Sequence, residues 1–123
     1  MLFRSPRGGR GGDRVRRVLA QLLSEELRDP RIGFVTLTDV KLSSDRRHAV
    51  AFVTILGEEQ PGASLETLNR AAPFLRKMLA QRAGMRHTPA LKFVTDEVVE
   101  SGSRLERLFV QMREEWSQRE EEP

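Results

Sequence analysis

Apolar residues at Val15, Val18, Leu19, Leu22, Leu23 and Leu27 recur three and four positions apart, with Arg14, Arg16, Arg17, Glu25 and Arg28 between them. That period places one greasy stripe on a helix and predicts α-structure over 13–28, with Asp13 as N-cap and Arg28-Asp29-Pro30 as the stop. The pattern then changes. "FVTLTDVKL" and "HAVAFVTIL" are rich in β-branched and aromatic residues and are separated by the polar "SSDRR", which predicts a hairpin over 34–42 and 48–56. In the first strand the alternation slips near Thr38–Val40, the mark of a bulge.

Helical spacing returns at Leu68, Ala71, Ala72, Leu75, Met78 and Leu79, but Pro73 stands inside the run. A proline in a helix interior costs about 3 kcal/mol, whereas at the first position of a new helix its missing N–H is harmless. The stretch therefore reads as two helices, 64–71 and 73–83, the first capped by Ser64 with Glu66 in its first turn, the second ended by Gly84. "ALKFVTD" alternates as a third strand. Leu105, Leu108, Phe109, Met112 and Trp116 mark one face of a C-terminal helix that frays in "SQREEEP". The predicted order is α-β-β-α-α-β plus a final helix, an α+β domain with its helices on one face of the sheet in two layers. A βααβ unit behind a leading αβ is the type II KH arrangement.

With 123 residues and 38% hydrophobic content, the chain has material for one small core. Residues 13–98 make the KH-like domain, 1–12 a flexible Arg/Gly-rich tail, and 99–123 a C-terminal helix with an acidic end. Cysteine is absent and the two histidines, His48 and His87, lie far apart, so no metal site and no cofactor is expected. No apolar run reaches the roughly 20 residues of a membrane span, and the arginine-bearing N-terminus lacks the apolar core of a secretory signal. A cytoplasmic monomer with no membrane partner is the expectation.

Charge changes the picture more than size does. Residues 1–17 hold six arginines against one aspartate, and 113–123 hold five glutamates against two arginines. No acidic residue falls between Glu66 and Asp96, while Arg70, Arg76, Lys77, Arg82, Arg86 and Lys92 do. Arginine suits phosphate forks and base faces, although a GC-rich genome or a hot habitat also enriches it. The repeated Arg-Gly-Gly at 7–12 resembles segments that track nucleic-acid backbones, or equally a solubilising tail. A nucleic-acid partner is set against a merely solvated helix face. Arg46 and Arg47 in the hairpin turn fit either reading, since turns are commonly charged.

No pair of residues has the spacing of a nucleophile with its base, "GGRGG" lacks the lysine of a phosphate-cradling loop, and neither an enzyme nor a small-molecule substrate is expected. The competing class is a protein–protein adaptor working through the Leu105–Trp116 helix. A binder of free RNA through the KH fold is a third.

"RVRRVLAQLLSEELRDPRIGFVTLTDVKLSSD", "HAVAFVTIL" and "LNRAAPFLRKMLAQRAGMRHTPALKFVTDE" together resemble the bacterial ribosome-binding factor A family over about residues 13–98. The resemblance implies a KH-like domain that associates with the small (30S) ribosomal subunit and assists late maturation of 16S rRNA. It further implies that an alanine-x-glycine kink replaces the GxxG loop of other KH domains. The matching positions here are Ala71, Ala72 and Pro73, with proline where glycine is usual, which removes one N–H from any contact with RNA. On this reading Arg70, Arg76 and Lys77 point away from the core face, and Arg82, Arg86 and His87 extend the patch. Arg14, Arg16 and Arg17 carry it onto the first helix.

Overall fold

The computed structural model describes residues 9–26, 33–95 and 102–121, with side-chain surroundings for 12–26, 33–95 and 104–117. Seven elements follow in order: α1 (Gly9–Glu26), β1 (Phe34–Leu42), β2 (His48–Leu56), α2 (Ala63–Arg70), α3 (Ala72–Ala83), β3 (Ala90–Thr95) and α4 (Gly102–Glu121). This is the type II KH order with an added helix. The sheet runs β1-β2-β3, antiparallel between β1 and β2 and parallel between β2 and β3, because α2 and α3 together form the crossover. The register slips between Leu37 and Asp39, where the sequence places the bulge.

The amphipathic stripes dictate the main core. Val15, Leu19 and Leu22 of α1, Leu68 of α2, and Leu75 and Leu79 of α3 are fully buried, against Ala49, Ala51 and Val53 of β2 and Leu91 and Phe93 of β3. The expected two layers are, however, three. Val50, Phe52 and Val94 face the other way, and Phe109 and Met112 of α4 bury them in a second, smaller core. The first six residues of β2 are all buried, so the strand needs cover on both faces.

Two local expectations need correction. α1 begins at Gly9 rather than Asp13, so Asp13 lies inside the helix instead of capping it. Docking of Val15 and Leu19 on the sheet overrides the poor helix propensity of Gly9, Gly11 and Gly12. Residues 27–32, which hold the predicted Arg28-Asp29-Pro30 stop, lie outside the described residues. Ser64 does not cap α2. It is buried within the first turn, and its Oγ accepts the Gly33 N–H at 3.0 Å. Glu58 caps instead from the preceding loop, accepting from Ser64 N (3.0 Å) and Gly62 N (3.4 Å), and these bonds hold its carboxyl below the ordinary value.

The elbow between the two crossover helices is where the sequence puts it. Ala71 (φ −84°, ψ −3°) ends α2 and caps α3, and Pro73 occupies the opening turn of α3. Gly84, at φ 61°, closes α3 in the left-handed region that a side chain disfavours. One further contact fixes the sheet margin. The Asn69 side chain on α2 accepts from Phe93 N (2.8 Å) and donates to Phe93 O (3.0 Å) on β3.

Candidate nucleic-acid interface

α1, the β1–β2 turn and α3 are far apart in sequence, yet they surround one open cleft of about 1380 Å³. Arg14 and Arg17, three apart and so on one face of α1, line its first wall. Arg46 and Arg47 line the second, and Lys77 the third, with Arg86 and His87 following from the α3–β3 loop. No carboxylate among the described residues pairs with any of those six Arg and Lys side chains. Two acids share the lining, Asp13 and Asp45.

Asp45 is turned to internal use. Its Oδ1 accepts from Ser43 Oγ (2.7 Å) and from Arg47 N (3.0 Å), and these bonds, the Ser43 one foremost, keep its pKa below the usual carboxylate range. The turn is closed by Ser43 N to His48 O and Arg46 N to Ser43 O, both 2.9 Å. Arg46 adopts φ +61°, a left-handed conformation that costs a non-glycine residue roughly 1–2 kcal/mol. The network holds a strained backbone so that two adjacent guanidinium groups stand exposed at the cleft mouth.

Of the nine residues singled out in the sequence, the structure gathers Arg14, Arg17, Arg76, Lys77, Arg86 and His87 at the cleft. Arg16, Arg70 and Arg82 are not among its lining residues. Arg70 pairs with Glu66 one turn away at 2.7 Å, and Arg82 reaches Glu25 of α1 at 2.8 Å. Arg76 differs from its neighbour Lys77. It is half-buried, donates through Nε (3.1 Å) and Nη2 (2.9 Å) to Thr88 O, and lies 4.3 Å from the centroid of Trp116 of α4. Desolvation lowers its pKa, and its guanidinium is already engaged by the Thr88 carbonyl and the indole. Arg46 and Arg47, which the sequence leaves open between RNA contact and an ordinary charged turn, also line the cleft; a charged turn has no signal of its own until the fold brings it to two helices.

Trp116 touches a second group. Its ring meets His48 edge-on, with centroids 5.4 Å apart and planes at 89°. His48 is only 3% exposed and its Nδ1 has no hydrogen-bond partner, and desolvation, ahead of the charges around it, pushes its pKa down. Beyond Trp116 lies a smaller groove of about 500 Å³ between the helix elbow, the outer side of β3 and α4. The described residues contain no cluster of three potential metal ligands and no helix long and apolar enough to cross a membrane.

With this geometry in place, comparison with known proteins is specific. A family model described as ribosome-binding factor A matches residues 7–109. The ribosome-binding factor A of Alkalilimnicola ehrlichii is 46% identical over 112 residues, covering 89% of this chain and 86% of that protein. The crystal structure of the factor from Thermus thermophilus superposes with a TM-score of 0.61 at 33% identity, covering 68% of this chain and 90% of that one. A homology model of the Thermus thermophilus factor, fitted into a cryo-EM map of its complex with the 30S subunit, gives 0.61 at 32% identity, covering 72% and 94%.

Proposed function

Since the chain belongs to the ribosome-binding factor A family, we propose that it binds the 30S ribosomal subunit by laying the α1–turn–α3 cleft on 16S rRNA, and in doing so assists late maturation of that RNA. One observation carries the assignment to this cleft: six Arg and Lys side chains from separate segments converge there without carboxylate partners among the described residues. Cations so placed contact phosphates, which set register and give salt-dependent affinity without reading sequence. The elbow at Ala71-Ala72-Pro73 stands beside the cleft and offers no N–H at Pro73, so recognition is of RNA shape rather than a short single-stranded word. The activity is binding without covalent chemistry, by a monomer in the cytoplasm, where subunits are assembled.

An adaptor using the apolar stripe of α4 is harder to reconcile with the fold, because Phe109 and Met112 are already buried on the sheet. The test is charge reversal at Arg46 and Arg47 together, with Arg70→Glu and Arg82→Glu as controls, measured as 30S affinity across a salt series. The double reversal is expected to weaken binding and lower the log–log slope by about 0.7–0.9 per lost phosphate contact, and the controls to do so much less. Equal losses from both sets place the interface elsewhere. Crosslinks from residues 77, 86 and 87 to 16S rRNA in immature subunits map the contacted nucleotides.

A further inference from the structure

The C-terminal half of α4 has a stranger position than an extra covering helix requires. Past Met112 its stripe leaves the second core and reaches Trp116, which lines both the basic cleft and the neighbouring groove. There the indole lies over Arg76, whose guanidinium is already bonded to a backbone carbonyl, and packs edge-on against buried His48, whose Nδ1 has no hydrogen-bond partner among the described residues. Glu115, beside it in sequence, lines the groove and not the cleft. An indole set over a guanidinium at the edge of a cationic cleft takes the place that a nucleobase stacked on arginine would occupy.

We propose that the end of α4 is an autoinhibitory latch, in which Trp116 occupies the margin of the basic cleft until RNA displaces it. This rests on the cleft being the RNA-binding surface. The latch is able to open alone, because α4 is anchored upstream by Phe109 and Met112 in a core separate from that of α1, α2 and α3. Incoming phosphates and bases compete with the indole for the Arg76 guanidinium. Release of Trp116 widens the cleft toward the elbow and the outer side of β3.

The chain has a single tryptophan, so its fluorescence reports the latch directly in the unmodified full-length protein. Protein-free 16S rRNA, which carries no tryptophan, is the probe, and filter binding of the labelled RNA measures affinity independently. Binding is expected to shift Trp116 emission to the red and to increase its quenching by acrylamide. Trp116→Ala, and separately Trp116→Leu, are expected to tighten binding by about two- to fivefold, the scale of a cation–π contact released. RNA that binds while Trp116 keeps its emission and quenching, or becomes more protected, overturns the latch and leaves the cleft assignment standing. Unchanged affinity in both variants overturns it as well. Absence of binding by the wild type and by every variant removes the cleft assignment, and the latch with it.

Discussion

Arg76 and Lys77 are adjacent cations whose surroundings assign them opposite roles, and substituting each by alanine separates those roles. Arg76→Ala removes two hydrogen bonds from a charged donor to Thr88 O and a contact with the Trp116 ring. Hydrogen bonds to charged groups are worth about 1.5–3 kcal/mol and an exposed cation–π contact about 0.5–1. Arg76 is only half-buried and both bonds end on one carbonyl, so they are counted together at the low end of the range, and the sum with the ring contact is about 2 kcal/mol. For a domain of this size that corresponds to a fall in Tm of roughly 8 °C. Lys77 is exposed and has no ion-pair partner among the described residues, so Lys77→Ala should stay within about 0.5 kcal/mol of wild type. It should instead lower the log–log salt slope of 30S binding by about 0.7–0.9. Thermal unfolding followed by circular dichroism, beside a salt series of binding, reads both quantities. The reasoning fails if Arg76→Ala melts with the wild type, or if Lys77→Ala destabilises the fold as much as Arg76→Ala does.

Three further outcomes follow from the contacts. A Cβ on Gly33 would stand 2.3 Å from Leu56 O and 2.9 Å from Glu58 N, both backbone atoms, so Gly33→Ala should destabilise by several kcal/mol, visible as a lowered denaturant midpoint. Glu58, held below the ordinary carboxylate value by its bonds to Ser64 and Gly62, stabilises the fold above its unfolded pKa and loses that contribution as pH falls through its folded one; Glu58→Gln should flatten the acid limb of the stability curve. His48 also has a depressed folded pKa, so below the ordinary histidine range the unfolded chain takes up a proton that the buried ring refuses, and stability should drop with falling pH. Stability measured from pH 7.5 to 5 in His48→Gln should lack that component.

Much of the fold is legible because it depends on local periodicity. The hairpin, its bulge near Thr38, the elbow at Pro73 and the Gly84 stop are each encoded within a few residues. What escaped is what depends on distant partners. Glu58 caps α2 from outside the helix, where the sequence offers Ser64 as the obvious candidate. The third layer was latent in "AVAFV", an uninterrupted apolar run that demands cover on both faces, but the run does not say which helix supplies it. Charge was the least legible property. The Glu66–Arg70 pair could be read from its four-residue spacing, whereas Glu25–Arg82 and the carbonyl clasp on Arg76 exist only once α1, α3 and the following loop have packed. Arg46 and Arg47 reach the cleft for the same reason.

Asn69 bears on how copies of the chain behave toward each other. The outermost strand of a sheet normally presents bare amides and carbonyls that a stranger's backbone can zip onto. Here a carboxamide answers both groups of Phe93 in the manner of a one-residue neighbouring strand. At the opposite margin the slip beside Thr38 interrupts the regular ladder. Strand-to-strand polymerisation is thereby discouraged at both flanks.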